Sequence, residues 1–296
     1  MNRFLEKADR ETRPRSFYTG VYLLSMLIFG TNGLLVARIS VSASQIVFMR
    51  TLLGGSALTL QVLLGGGFDR KDIRRELVPL LLGGSALGFN WITLFEAYRV
   101  LNVSLSTLIY YAGPILILLF SPILFHEKLT AQKLSAIAAV GIGLVLISGS
   151  IAMSNMSLKG LFTACLSAVL YAALIAINKR ISRTGSLQTA AIELDVAFVV
   201  VLFYVLVTAG LPQPEKTDWL WLVLIGLVNT ALAYFLYFTG LQILPAQSVA
   251  LLSYADPVSA LFLSAFFLHE SMTGLQMLGA ALLLGGALWG ELQRQR

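Results

Sequence analysis

Tyr111-Ala-Gly-Pro114, followed by His126-Glu127 and Thr130, returns 143 residues later as Tyr254-Ala-Asp-Pro257, followed by His269-Glu270 and Thr273. Arg38 and Arg180, Gly83 and Gly226, Leu101 and Leu244, Leu108 and Leu251, and Gly143 and Gly286 also match at an offset of 142 or 143. Two Leu-rich stretches share scattered Leu and Gly by chance, but not Tyr-Ala-x-Pro and His-Glu at one common offset. The chain is thus read as a tandem duplication. A window of about 20 residues, enough to cross ~30 Å of hydrocarbon, finds apolar stretches at 17–38, 45–65, 76–97, 102–125, 131–151, 157–178, 188–210, 218–240, 246–268 and 272–291. Five per copy is an odd number, so the second copy enters the bilayer from the opposite side. The predicted fold is an all-α membrane protein: ten transmembrane helices as two inverted five-helix repeats. The first repeat is 1–153, with a cytoplasmic tail 1–16, and the second is 154–296.

Composition excludes water as the main solvent. Hydrophobic residues make up 57% of the chain, charged ones 12%, and the mean hydropathy is +0.81, outside the balance of soluble domains. The net charge of +6 does not indicate nucleic acid, because no basic helix with interleaved surface aromatics is present. Most of the 21 Lys and Arg instead fall in the termini and in alternate loops, notably Arg70, Lys71, Arg74, Arg75, Lys128, Lys133, Lys179, Arg180 and Arg183. The other side holds Arg38, Arg99, Lys159 and Lys216, and Arg50 lies within a span. The positive-inside bias puts both termini in the cytoplasm. Equivalent loops of inverted copies should then lose their charge in one copy, and Lys128 and Lys133 correspond to Ser271 and Gln276.

Two segments, Arg99–Gly149 and Leu241–Gly290, resemble the EamA-type domain of the drug/metabolite transporter superfamily. The residues that carry the likeness are Ser104, Ser106, Pro114, Phe125-His126-Glu127, Gly141 and Gly143. In the second copy they are Gln247, Ser248, Pro257, Leu268-His269-Glu270, Gly279, Gly285 and Gly286. The beginning of each copy is similar as well, at Phe29-Gly30-Thr31-Asn32 through Arg38 and at Tyr171 through Arg180. The chain departs from the family pattern with His126 and His269 where Gly is common, and with Phe29 and Tyr171 where Trp is common. The resemblance implies a ten-helix exporter of metabolites or amino acids, similar to bacterial aromatic amino acid exporters, in the inner membrane.

Candidate site residues follow from cost and symmetry. An ionisable group inside a span costs ~2.5–3.5 kcal/mol on insertion scales, so it should face a cavity or a partner. Arg50 and Glu193 are symmetry mates of opposite sign. They either pair, or flank a zwitterionic ligand whose carboxylate takes the guanidinium fork, or snorkel at the interface. Aromatics repeat likewise: Phe29 with Tyr171, Trp91 with Tyr234 and Tyr111 with Tyr254, while Tyr237 shares a helix face with Tyr234. With the polar Asn32 and Asn90 they describe a pocket for amphipathic solutes or, alternatively, helix packing. Asp256, whose mate is Gly113, precedes Pro257. It is read either as a group that holds a proton or an ammonium, or as a structural carboxylate at a helix break. Pro114 and Pro257 are expected to break their helices. Glu127 and Glu270 are expected to cap the helices that follow them.

Other functional classes lack their residues. The two His stand at turns, and no Gly-x-Ser-x-Gly or His-Glu-x-x-His pattern occurs, which argues against an enzyme. Cys165, the single cysteine, lies in an apolar run, so neither a disulfide nor a thiolate metal centre is expected, and no cofactor or metal. The expected function is a secondary transporter that exports amino acids, favouring aromatic and large apolar ones, by alternating access around a central cavity. The alternative is an exporter of other metabolites or drugs. The expected partners are an amino acid substrate and the lipid bilayer, not nucleic acid; the sequence requires neither a monomer nor a homodimer. Small residues at Ala139, Gly143, Gly286 and Gly290 allow close helix approach.

Overall fold

The computed structural model describes residues 13–101, 103–148, 157–267 and 273–292. His269, Glu270 and the expected boundary at 153/154 lie outside the described residues. Ten long helices run through the described residues: α1 (Arg15–Val36), α2 (Ala43–Leu64), α3 (Leu77–Val100), α4 (Ser106–Phe125), α5 (Ala131–Ser148), α6 (Leu158–Asn178), α7 (Ser186–Thr208), α8 (Asp218–Ile243), α9 (Ala246–Phe267) and α10 (Gly274–Leu292). Eight are long and apolar enough to cross a membrane, and α5 and α10 are not among these eight. The described part of α5 ends at Ser148, short of the expected 151, and α10 carries Gln276 and Glu291 in its 19 residues. Large apolar side chains such as Leu64, Ile123, Val207 and Phe266 stand fully exposed around the bundle, as lipid-facing residues do. The chain is a multi-pass membrane protein.

Local signals start the helices where the polar loops end. Ser42 and Gln45 form a reciprocal capping box at α2, and Thr273 and Gln276 form one at α10. Thr130, the mate of Thr273, accepts from the backbone N–H of Lys133 at α5. Each such cap is worth about 1 kcal/mol. His126 closes α4 in the left-handed region at φ 55°, the one non-glycine residue with positive φ among the described residues. The family's usual glycine would occupy that conformation without steric cost.

The packing is symmetric under exchange of the two halves. α6 packs on α3 and α4, and α1, the mate of α6, packs on α8 and α9, the mates of α3 and α4. α7 lies against α2 and α3, and α2 against α7 and α8. The halves therefore interlock, with the first helix of each lodged in the other. α5 and α10 pack along each other, their glycines in contact: a Cβ on Gly143 would meet the Gly279 carbonyl at 2.7 Å, and one on Gly279 would meet the Gly143 carbonyl at 2.8 Å. The small-residue stripes are used inside the chain.

Acidic side chains tie one half to the other. Glu76, just before α3, accepts hydrogen bonds from the backbone N–H groups of Ser182, Arg183 and Thr184 and from the Thr184 hydroxyl, at 2.8–3.0 Å. Burial pushes its carboxyl up, but these donors outweigh burial and hold it below the usual glutamate range, so it is ionised at neutral pH. Asp218, at the start of α8, accepts in the same way from the backbone N–H and hydroxyl of Ser40. Glu76 and Asp218 are 142 residues apart, as are Ser182 and Ser40. Glu127 follows this pattern and not the expected one. It receives the backbone N–H groups of Ala246 and Gln247 at 2.9 and 3.1 Å and so caps α9 of the other half instead of α5, because the left-handed turn at His126 directs it across the interface.

Candidate functional site

Three helices are interrupted where they meet the centre. α4 breaks at Tyr111, three residues before Pro114, and α9 at Ser253–Tyr254, three residues before Pro257. A proline has no N–H and its ring collides with the carbonyl four residues back, so each break lies about one turn ahead of its proline. The Tyr254 hydroxyl donates to the carbonyl of Tyr111, at the first of these breaks, at 2.9 Å. α1 is interrupted at Thr31.

The fourth irregularity is a π-helical segment, Leu227–Leu232, inside α8. A π segment accommodates one residue more than the α-helix around it, and the repeat shows where that residue came from. Along α3 and α8 up to the segment the offset between copies is 142: Glu76 matches Asp218, and Gly84 matches Gly226, Gly84 packed against Val196 and Gly226 against its mate Leu53, each at 2.6 Å from the would-be Cβ. After it the offset is 143, with Leu101 and Leu244 as the closing residues of α3 and α8. The structural counterpart of Gly226 is thus Gly84, not Gly83 as the sequence match suggested. Thr230 holds the bulge by donating to the Ile225 carbonyl five residues back at 2.8 Å.

Arg50 reads the bulge. It is buried, its Nε donates to Thr230 Oγ1 at 2.9 Å, an Nη donates to the Asn229 carbonyl at 3.1 Å, and its guanidinium lies 4.9 Å from the centre of the Trp91 ring. The direct pair of Arg50 with Glu193 is not formed. Glu193 is fully buried and accepts from Asn178 at 3.1 Å, because the bulge carbonyl and hydroxyl take the guanidinium instead. Both side chains are buried within the bundle.

Aromatic rings surround Arg50 in two connected groups. Trp91, Tyr234, Phe29 and Tyr237 sit on one side, with Trp91 to Tyr234 at 5.7 Å, Phe29 to Tyr234 at 5.0 Å and Tyr234 to Tyr237 at 5.8 Å. In the second group Tyr110 stacks on Tyr171 at 5.0 Å and lies against Tyr111, which reaches Tyr254 at 6.4 Å. The Tyr111 hydroxyl donates to Asp256 at 3.0 Å. Asp256 is half-buried and within electrostatic reach of Arg50, without a direct ion pair. Arg50, Trp91, Tyr111, Tyr171 and Tyr234 each retain 7–8% exposure, whereas Tyr22 and Tyr254 retain none, so the first five are not sealed by their neighbours. A guanidinium beside Trp91 and a carboxylate beside Tyr111 thus set opposite charges among aromatic rings.

Two predicted residues do other work. Asn90 donates to the Ser167 carbonyl at 2.6 Å, binding α3 to α6. Asn32 accepts from Asn229, whose amide also reaches Thr31 and the Ile28 carbonyl, so it belongs to the junction of the α1 break with the bulge. Asn229, Tyr110, Tyr22 and Asn178 were missed. Their mates are dissimilar, Tyr110 corresponding to Ser253 for example, and a search by symmetry passes over such positions. A polar residue in mid-span is the signal that would have found Asn229.

The sequence matches the EamA-like transporter family at residues 18–149 and again at 158–289. It is 25% identical over 277 residues to an uncharacterized transporter, YxxF, of Bacillus subtilis, covering 92% of this chain and 89% of that one. It is 23% identical over 287 residues to the aromatic amino acid exporter YddG of Ancylobacter novellus, covering 95% and 99%. It is 23% identical over 228 residues to the threonine/homoserine exporter RhtA of Salmonella typhimurium, covering 75% and 74%. A solved crystal structure at 21% identity superimposes with a TM-score of 0.84 over 96% of this chain and 99% of the other, and so shares the fold.

Proposed function

Since the chain belongs to the EamA-like transporter family, we propose that it is a ten-crossing carrier of the bacterial inner membrane that exports amino acids, favouring aromatic and large apolar ones. Arg50 takes the substrate carboxylate, Asp256 takes the ammonium group, and Trp91, Tyr111, Tyr171, Tyr234 and Tyr237 enclose the side chain. The observation that carries this reading is Arg50 against the Trp91 ring and Asp256 under the Tyr111 hydroxyl, within electrostatic reach of each other without a direct ion pair. α5 and α10 complete the two halves as peripheral crossings, and both termini are cytoplasmic, in keeping with the Lys and Arg distribution. The four inner helices of each half rock about the central space and open it alternately to either face.

Counterflow of labelled phenylalanine in proteoliposomes tests the proposal. Uptake should saturate and be competed by phenylalanine, tyrosine, tryptophan and leucine well before nucleosides, sugar phosphates or cationic drugs. Strong competition by cationic drugs with none by aromatic amino acids would replace this reading with that of a drug exporter.

A further inference from the structure

Glu193 is fully buried, and its setting lacks what a carboxylate needs. Its Oε2 receives one hydrogen bond, from Asn178 Nδ2 at 3.1 Å, and its Oε1 is buried without a partner. Asn178 Oδ1, on the same amide, is buried without a partner as well. Among the described residues, the elements packed around Glu193 bring no cation to it. From α3 comes Gly83, so close that a Cβ there would lie 2.2 Å from Oε1. From α2, Arg50 is committed to Thr230 and Asn229. From α8, Tyr234 lies within electrostatic reach. On α7 itself, Asp195 is turned to Thr59, 2.6 Å away. Lys179, next to Asn178, donates to the carbonyls of Leu241 and Leu244.

Two orphaned acceptors on neighbouring side chains are short of one donor. An unmet buried acceptor is costly, because it has given up its bond to water and gained none in return. A carboxylic acid supplies the donor, and acid and amide then bond reciprocally, amide N–H to acid oxygen and acid O–H to the amide oxygen. We propose that Glu193 and Asn178 form a proton-binding site that couples export to inward proton movement, a role resting on the carrier reading above. The carboxylate takes one proton from the outer side when the central space opens outward. The acid returns it to the cytoplasm when that space opens inward, as one amino acid moves the other way. Its neighbour Tyr234 also touches Trp91 and Phe29, which links this site to the aromatic wall.

Infrared titration of the full-length protein, without substrate, reads the site directly. The wild type should show a carboxylic acid carbonyl band that is missing in Glu193→Gln and shifted in Asn178→Leu. In proteoliposomes with a trapped pH dye, phenylalanine gradients should drive proton flux that falls at least tenfold in Glu193→Gln. An acid band that persists in Glu193→Gln and vanishes in Asp256→Asn would overturn the proposal, as would undiminished proton flux in Glu193→Gln. Failure of the wild type to move phenylalanine would instead overturn the substrate reading, while the infrared band would still decide the proton site.

Discussion

Replacing Arg50 with Gln should lower the apparent affinity for phenylalanine by about 100-fold or more while the protein still folds. A buried charged group that pairs with a ligand charge costs ~2–5 kcal/mol when truncated, and each 1.36 kcal/mol is a factor of ten. Gln keeps an amide able to donate to the Thr230 hydroxyl or the Asn229 carbonyl, the two groups that Arg50 now engages, which is why the fold should survive. Arg50→Lys keeps the charge but not the planar fork and should fall between. Phenethylamine, which lacks the carboxylate, separates binding from packing: the wild type and Arg50→Gln should handle it alike. An equal loss for phenylalanine and phenethylamine would assign Arg50 to structure alone.

Deleting Val228 should leave a folded protein that transports at least tenfold more slowly. Removing one residue from a regular α-helix turns everything on one side of the cut by about 100°. In α8 the π segment Leu227–Leu232 already holds the surplus residue, so its collapse to α-helix restores the register that α3 has without it. The groups at Asn229 and Thr230 then move away from Arg50, and its position is lost. Deleting Leu82 from α3 is the control, because no bulge is there to absorb it, and that variant should not fold. Equal damage to folding in both deletions, read as monodisperse yield and melting temperature in detergent, would mean that the bulge is not an inserted residue.

Much of the architecture was legible because apolar length and period survive mutation. The approximate helix positions and the duplicated Tyr-Ala-x-Pro breaks follow from apolar runs and from prolines, whereas the sequence left Arg50 and Glu193 open between the interior and the interface. The change of offset from 142 to 143 was hidden, because Gly83 and Gly84 are adjacent and either aligns with Gly226; only packing against Val196 and Leu53 distinguishes them. The destination of Glu127 was hidden for a similar reason. A carboxylate after a helix caps whichever backbone N–H groups the fold brings near, and these came from Ala246 and Gln247, more than a hundred residues away. The separation of Arg50 from Glu193 depends on a hydroxyl and a carbonyl of the bulge, which no pairing rule based on charge foresees.

Under the proposed function the two ring groups line one chamber that is reached from both faces of the membrane. Cys165 is exposed, so Cys165→Ser provides the background, and Tyr171→Cys places a thiol in the space beside Tyr110. A membrane-impermeant methanethiosulfonate reagent applied to oriented vesicles should modify that thiol from either face, and phenylalanine should slow the reaction from both. Modification from neither face, or from one face alone with no protection by phenylalanine, would contradict the account.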